Sequence, residues 1–261
     1  MRTNEMKELL DLTGSIGKVY GSENTSLFLY SLIKRQKPNC IVELGTGMGL
    51  SSLWMGLGQK ENGHGELYTI DNGQEANLLT EDIEKIFPQL KGEDPEKSYE
   101  QYMNLIFESY SLTNQINFMK KDINLASQHM LMDHELQMVD KSIDVLFADT
   151  SYGPYDALNI MRQFLPYMSE YSSILIDSAS THLPTYLTLE KMIDDLNRSK
   201  IPQHFLSIKD PKARWNLFQL VSQRTFKLVH LNEKEKRKQN STAWIIIEPN
   251  EYIPQPDVAT H

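Results

Sequence analysis

The segment from Cys40 to Trp54 constrains the fold more than any other part of the sequence. It reads Cys-Ile-Val-Glu-Leu-Gly-Thr-Gly-Met-Gly-Leu-Ser-Ser-Leu-Trp, an apolar run followed by three alternate glycines and a stretch of helical period. Because glycine has no Cβ, its backbone can approach a ligand closely, and the start of the following helix directs unpaired N–H groups toward that ligand. The segment therefore predicts a strand, a tight turn and a helix that together bind a nucleotide-like ligand.

Short apolar runs alternate with stretches of helical period along the rest of the chain. This alternation is typical of a mainly parallel sheet that helices cover on both faces. The predicted strands are Cys40–Leu44, Glu66–Ile70, Ile116–Met119, Ile143–Ala148, Ser173–Ile176, Phe226–Leu231 and Ala243–Glu248. Polar residues join the last two, as in an antiparallel hairpin. We predict an α/β fold: a doubly wound, seven-stranded, mainly parallel sheet with an antiparallel last strand, preceded by N-terminal helices.

Length and composition fit one α/β domain with additions. A chain of 261 residues, of which 40% are hydrophobic and 23% charged, can bury a single core. Residues 1–36 predict a helical cap or lid, residues 37–250 the α/β domain, and residues 251–261 a loose tail. Residues 74–114, between the second and third predicted strands, exceed what one crossover helix needs. They predict an insertion that folds over the ligand crevice.

Charge and cysteine content bear on partners and compartment. Lys and Arg number 26 against 35 Asp and Glu, and the net charge of −9 disfavours nucleic acid as a partner. No apolar run approaches the roughly 20 residues that span a bilayer. The single cysteine, Cys40, has no intrachain disulfide partner, and no apolar signal segment follows Met1. We expect a cytoplasmic protein without a membrane span, whose apolar N-terminal helices suit either a homodimer interface or packing onto the sheet.

A carboxylate, Asp71, follows the second predicted strand. It would lie in the crevice beside the glycine turn, where it could accept hydrogen bonds from both hydroxyls of a ribose. One alternative is a tight turn without a nucleotide, with Asp71 capping the next helix. Another is a dinucleotide-binding fold, but its G-x-G-x-x-G fingerprint requires glycine where this chain has Leu50.

On these residues the chain resembles class I S-adenosylmethionine-dependent methyltransferases, in particular those that methylate oxygen atoms of small molecules. The turn Val42–Gly49 is similar to their first motif, and the predicted strand order is similar to that of their sheet. The resemblance implies S-adenosylmethionine as the cofactor. It implies that the cofactor contacts Glu43, Gly45, Thr46, Gly47, Gly49, Ser51, Asp71, Asn72, Asp122, Ile123 and Asp149.

Three residues after the fourth and fifth predicted strands are candidates for catalysis. Asp149 follows the fourth strand, at the edge where open α/β sheets bind ligands, and would face the transferred methyl group. Asp177 follows the fifth strand, and His182 comes shortly after it. A carboxylate or a neutral imidazole at this edge could remove a proton from a substrate hydroxyl.

The same two carboxylates, Asp149 and Asp177, predict a site for a hard cation such as Mg²⁺. Catechol-type O-methyltransferases have Asp-Asn at the second strand end, whereas this chain has Asp177-Ser178. The alternative is that Asp177 caps a loop through backbone N–H groups.

The resemblance implies transfer of a methyl group from S-adenosylmethionine to a small-molecule acceptor, and we expect the acceptor atom to be a hydroxyl oxygen. Three alternatives remain at this stage. The chain could bind the cofactor without catalysis or as a partner subunit, it could be a nicotinamide-dependent oxidoreductase, or it could be a fold relative that uses a bound metal for other chemistry such as hydroxylation.

Overall fold

The sheet is the central element of the structure. The computed structural model describes residues 2–15, 23–134, 136, 142–151, 153–234 and 240–250. The strands are β1 Cys40–Leu44, β2 Glu66–Asp71, β3 Ile116–Lys120, β4 Ile143–Ala148, β5 Met168–Asp177, β6 Arg224–Asn232 and β7 Ser241–Pro249. They form one sheet in the order β3-β2-β1-β4-β5-β7-β6, in which β1 to β5 pair in parallel and β7 is antiparallel to both neighbours. The predicted fold class is confirmed.

Helices cover both faces of this sheet. They are α1 Arg2–Ser15, α2 Glu23–Gln36, α3 Leu50–Asn62, α4 Ala76–Ile86, α5 Pro95–Ser109, α6 Leu131–His134, α7 Pro154–Phe164, α8 Leu183–Asn197 and α9 Pro211–Gln223. Short 3₁₀ turns occupy Pro88–Leu90, Leu165–Tyr167 and Gln203–Ser207. Within the described part of the chain, no helix is both long and apolar enough to cross a bilayer.

Alternate residues of the parallel strands enter two separate cores, which is why these strands read as continuous apolar runs. In β1, Ile41 packs in the core with α2 to α5, whereas Val42 packs in the core with α7 to α9. All five residues of β1 are buried. The strand therefore lies at the centre of the molecule, and its carboxyl end opens between the two layers.

Strand order reverses between β1 and β4, which places three predicted site residues at one edge. Leu44 lies opposite Ile70 of β2 and Ala148 of β4. The residues that follow, Gly45, Asp71 and Asp149, therefore meet where open α/β sheets bind their ligands.

The two segments predicted as lids occupy different places. The N-terminal helices pack on α3 and β7: Trp54 Nε1 donates a hydrogen bond to Thr13 Oγ1 at 3.2 Å, and the Phe28 ring meets the edge of Trp244 with centroids 5.3 Å apart. The insertion forms α4, a 3₁₀ turn and α5, which reach the carboxyl edge of the sheet. The tail predicted at residues 251–261 lies outside the described residues.

Candidate functional site

A cavity of about 460 Å³ opens at the reversal of strand order. Its size falls in the range of roughly 300 to 1,000 Å³ that is typical of small-molecule sites. Four segments line it: the turn after β1, the end of β2 with α4 and α5, the loop after β3, and the end of β4. The lining residues are Leu44–Met48, Ser51, Ile70–Gly73, Gln74, Glu75, Leu79, Tyr99, Lys121–Ile123, Leu125, Asp149 and Thr150. No described residue of α1 or α2 is among them.

The turn after β1 depends on two of its glycines for different reasons. Gly45 has φ +89°, and a Cβ there would lie 2.2 Å from the carbonyl oxygen of Asp149, so only glycine lets the turn approach the end of β4. Gly47 has φ +52°, and a Cβ there would project into open space. The turn thus leaves room for a ligand against its backbone. Gly49 caps the start of α3 and does not line the cavity.

Asp71 ties the turn to the end of β2. Its Oδ2 accepts hydrogen bonds from the backbone N–H groups of Thr46 and Gly47 at 2.9 and 3.1 Å, and its Oδ1 accepts one from Gly73 N at 2.8 Å. A carboxylate offers about four lone-pair positions. Asp71 is half-buried in the cavity wall, so it supports the turn and retains capacity to accept a hydrogen bond from a ligand.

Two tyrosines of α5 hold the turn from the other side. Tyr99 donates its hydroxyl to Gly47 O and Tyr102 donates to Met48 O, both at 2.9 Å. Both side chains are buried, and burial raises the pKa of each hydroxyl, so both remain protonated donors. We did not predict these residues; their one signal in the sequence is their helical spacing within the insertion.

Glu43 lies behind the turn and not in the cavity. It is 0% exposed and accepts hydrogen bonds from the hydroxyls of Ser51 and Ser52 at the start of α3. Burial raises the pKa of Glu43 to about 7, although the hydrogen bonds to the carboxylate oppose this shift. The residue fixes the start of α3 relative to β1. Ser51 also lines the cavity, as predicted for a residue of the cofactor site.

The loop after β3 supplies the wall opposite the turn. Ile123 and Leu125 present apolar surface to the cavity, and Asp122 Oδ1 accepts a hydrogen bond from Asn72 Nδ2 at 3.3 Å. The predicted residues Asn72, Asp122 and Ile123 are therefore brought together with the turn. Leu125 was not predicted.

Of the three candidate catalytic residues, Asp149 lines the cavity and is exposed to solvent. Asp177 and His182 do not line it. Asp177 accepts hydrogen bonds from Thr242 Oγ1 at 3.2 Å and from Ser178 Oγ at 2.8 Å. His182 precedes α8, with its Nδ1 2.9 Å from Thr185 Oγ1. The bonds to Asp177 come from side-chain hydroxyls, whereas the loop-capping alternative predicts backbone N–H donors.

Of the two carboxylates predicted as ligands of a hard cation, Asp149 lines the cavity and Asp177 does not. No three His, Cys, Asp or Glu side chains of the described residues are grouped so that they could hold a metal ion. Asp149 lines the cavity, whereas Asp177 makes hydrogen bonds outside it through both oxygens.

Comparison with known proteins identifies related sequences and folds. A sequence model of a family described as "Methyltransferase domain" matches residues 42–179, which is just over half of the chain. No curated protein matches the sequence.

Solved structures with a similar fold include several methyltransferases. The O-methyltransferase TomG from Streptomyces achromogenes, solved in complex with S-adenosylmethionine, has 13% identity and a TM-score of 0.52, with coverage of 92% of this chain and 89% of that chain. The O-methyltransferase from Bacillus cereus, solved with S-adenosylhomocysteine, has 12% identity and a TM-score of 0.52, with coverage of 94% and 90%. A methyltransferase from Geobacter sulfurreducens has 10% identity and a TM-score of 0.51, with coverage of 93% and 88%. At these identities the likeness shows the fold.

Proposed function

Because the chain belongs to the methyltransferase domain family whose sequence model it matches, we propose that it transfers a methyl group from S-adenosylmethionine to a hydroxyl oxygen of a small-molecule acceptor. The observation that carries this proposal is one cavity that joins the glycine turn, Asp71 and an apolar wall, with Asp149 exposed at its end. When bound, S-adenosylmethionine supplies an activated methyl group on its sulfonium.

The cavity walls fit the three parts of this cofactor. The open backbone at Gly47 leaves space for the methionine part beside the start of α3. Asp71 is a carboxylate acceptor for a ribose hydroxyl. Ile123 and Leu125 offer apolar surface for a flat base. Glu43, which is buried behind the turn, would act on the cofactor only through the turn and α3.

The protein's main task in this reaction is orientation. The acceptor oxygen must lie in line with the methyl group and the sulfur, and holding this geometry removes translational and orientational entropy from the barrier. The second task is removal of the acceptor's proton. We assign it to Asp149 because this carboxylate lines the cavity at the carboxyl edge of β4. The hydrogen bonds that Asp177 and His182 make outside the cavity argue for structural roles.

The same features favour a small acceptor over a macromolecule. The insertion walls one side of the cavity with Gln74, Glu75, Leu79 and Tyr99, which restricts its width. The net charge of −9 disfavours a nucleic-acid substrate. We further propose a cytoplasmic location, with no membrane partner, supported by a lone cysteine that is buried. A homodimer interface is one of two predicted uses of the apolar N-terminal helices, and their contacts with α3 and β7 support the other.

The first test is calorimetric titration of the purified protein with S-adenosylhomocysteine, repeated with NAD and with MgCl₂. We expect saturable binding of S-adenosylhomocysteine, no binding of NAD, and no effect of MgCl₂. Binding of NAD alone would replace this proposal with the oxidoreductase alternative.

The second test is turnover. The protein would be incubated with S-adenosylmethionine carrying a labelled methyl group and a panel of hydroxylated small molecules, and labelled products would be sought by mass spectrometry. Asp149→Asn should bind S-adenosylhomocysteine normally but lower kcat, and Asp177→Asn removes a matched charge outside the cavity. An equal loss of kcat in both variants would show that the two carboxylates act together. Binding of S-adenosylhomocysteine without turnover of any acceptor would favour the alternative in which the chain binds the cofactor without catalysis.

A further inference from the structure

The loop after β3 builds one wall of the cavity without regular structure of its own. Residues 121–130 form neither helix nor strand, yet Lys121, Asp122, Ile123 and Leu125 line the cavity. Within the loop, three N–H groups find local acceptors: Ser127 N bonds to Asn124 O at 2.9 Å, Ala126 N to Asn124 Oδ1 at 3.0 Å and His129 N to Ser127 Oγ at 3.1 Å. These local bonds occupy amides and leave the carbonyls of Leu125, Ser127 and His129 to groups outside the loop. Buried backbone carbonyls need partners, so the position of this wall depends on groups from elsewhere in the chain.

Two consecutive side chains of α7 supply those groups. Arg162 Nη2 donates hydrogen bonds to Leu125 O at 2.9 Å and to Ser127 O at 2.6 Å. Gln163 Nε2 donates to Ser127 O at 2.9 Å and to His129 O at 3.2 Å. Gln163 Oε1 accepts a hydrogen bond from Leu131 N at 3.0 Å. The pair therefore binds the loop at four residues, from the end of the cavity wall to the start of α6.

Both side chains are withdrawn from solvent. Arg162 is 3% exposed and Gln163 is 0% exposed. Burying a guanidinium is unfavourable unless its N–H groups are satisfied, and here backbone carbonyls of the loop provide the acceptors. An apolar side chain would fill the same space without this desolvation cost. What the polar pair adds is a fixed distance between α7 and the loop.

We propose that Arg162 and Gln163 are positioning residues for the base of the cofactor. They hold the wall that contains Ile123 and Leu125 against the cavity, and so they set the affinity for the adenosine part of the ligand. The inference rests on the proposed function for the identity of the ligand, but the clamp on the loop is a property of this chain alone.

The test uses two variants and a matched control. Arg162→Lys keeps the charge but replaces the planar guanidinium, whose Nη2 bonds two carbonyls, with a more strongly hydrated ammonium on a different stem. Gln163→Met keeps the volume and removes both polar atoms. Arg224→Lys is the control, because Arg224 donates to Glu170 away from the cavity at 2.9 Å.

The first readout is hydrogen exchange of the ligand-free protein. The hydrogen-bonded amides of Ser127, His129 and Leu131 should exchange about tenfold faster in both variants, the change expected when one hydrogen bond to a charged or buried group is lost. Those of the control should exchange as in the parent. Unchanged exchange in this segment in both variants would overturn the clamp. This measurement does not require a bound ligand, so it remains decisive if the proposed function fails.

The second readout is the dissociation constant for two probes, S-adenosylhomocysteine and adenosine. Both should bind about tenfold more weakly to each variant. The ratio of the two dissociation constants should stay unchanged, because the displaced wall contacts the base, which both probes share. Faster exchange combined with parental affinity for both probes would make the pair merely structural and overturn the positioning role. If the parent binds neither probe, the proposed function is refuted and the positioning role with it, whereas the exchange data still decide the clamp.

Discussion

Replacing Asp71 by Asn tests the double role of this carboxylate in the turn and in the ligand site. The carboxylate accepts three backbone N–H bonds, two through Oδ2 and one through Oδ1, at 2.8 to 3.1 Å. Asn has one oxygen, so it can serve either the turn amides of Thr46 and Gly47 or the amide of Gly73, but not both sets. At least one bond is lost, and the others lose the assistance of the negative charge.

The expected size of the effect follows from these contacts. Hydrogen bonds to charged groups contribute roughly 1.5 to 3 kcal/mol and neutral ones about 1 kcal/mol. Since Asp71 is half-buried, the lower end applies, and we expect a loss of about 2 kcal/mol in the free energy of unfolding. For a chain of this size that lowers Tm by roughly 4 to 8 °C. Loss of the carboxylate that accepts a hydrogen bond from the ribose should weaken the binding of S-adenosylhomocysteine about tenfold or more.

Asp144→Asn is the matched control. Asp144 also accepts three hydrogen bonds, from Asn39 N, Cys40 N and Ser169 Oγ at 2.7, 3.1 and 2.6 Å, but at the opposite edge of the sheet. Thermal unfolding should therefore show similar losses in both variants, whereas calorimetric titration should show weakened binding in Asp71→Asn alone. Parental affinity in Asp71→Asn, or an equal loss of affinity in Asp144→Asn, would refute the assignment of Asp71 to the ligand.

Three further variants test other parts of the site. Burial raises the pKa of Glu43 from 4.5 to about 7, so the native state keeps a proton that the unfolded chain has lost between these values. The parent should therefore lose stability as the pH rises from about 4.5 to about 7, by roughly 3 kcal/mol, and urea unfolding of Glu43→Gln should show a flatter pH profile. Gly47→Ala and Gly63→Ala both place Cβ in open space at positive φ, so both should lower the free energy of unfolding by about 1 kcal/mol. In titrations, only Gly47→Ala should weaken the binding of S-adenosylhomocysteine. Tyr99→Phe leaves Gly47 O without its donor and should raise KM for S-adenosylmethionine about fivefold with little change in kcat; an unchanged KM would exclude a role for this bond in binding.

The parts of the site that follow strand ends could be predicted from the sequence. Parallel strands bring their carboxyl ends to one edge, so recognising β1, β2 and β4 was enough to bring Gly45, Asp71 and Asp149 together. The same reasoning does not give the direction of a side chain. Asp177 also ends a strand of this edge, but its oxygens meet Thr242 of β7 and the adjacent Ser178. Neither contact has a signature in the local sequence.

The placement of residues that act from behind the turn could not be predicted, for two different physical reasons. Side chains alternate along a strand, so Glu43 shares the face of Ile41 and is buried under α3, one residue too early to reach over the edge of the sheet. Tyr99 and Arg162 lie far from the turn and the β3 loop in sequence, and only the packing of α5 and α7 brings them there. Such contacts depend on tertiary geometry that periodicity does not determine.

The turn is therefore held by several separate parts of the chain. Asp71 binds its amides, Tyr99 and Tyr102 bind its carbonyls, and Glu43 fixes the helix that follows it. A glycine-rich segment would lose much conformational freedom if a ligand had to order it. Because these contacts are made within the chain itself, they restrict the turn without help from the ligand and reduce the ordering that binding must supply. It follows that substitutions in the supporting residues should weaken ligand binding even where the substituted residues do not contact the ligand.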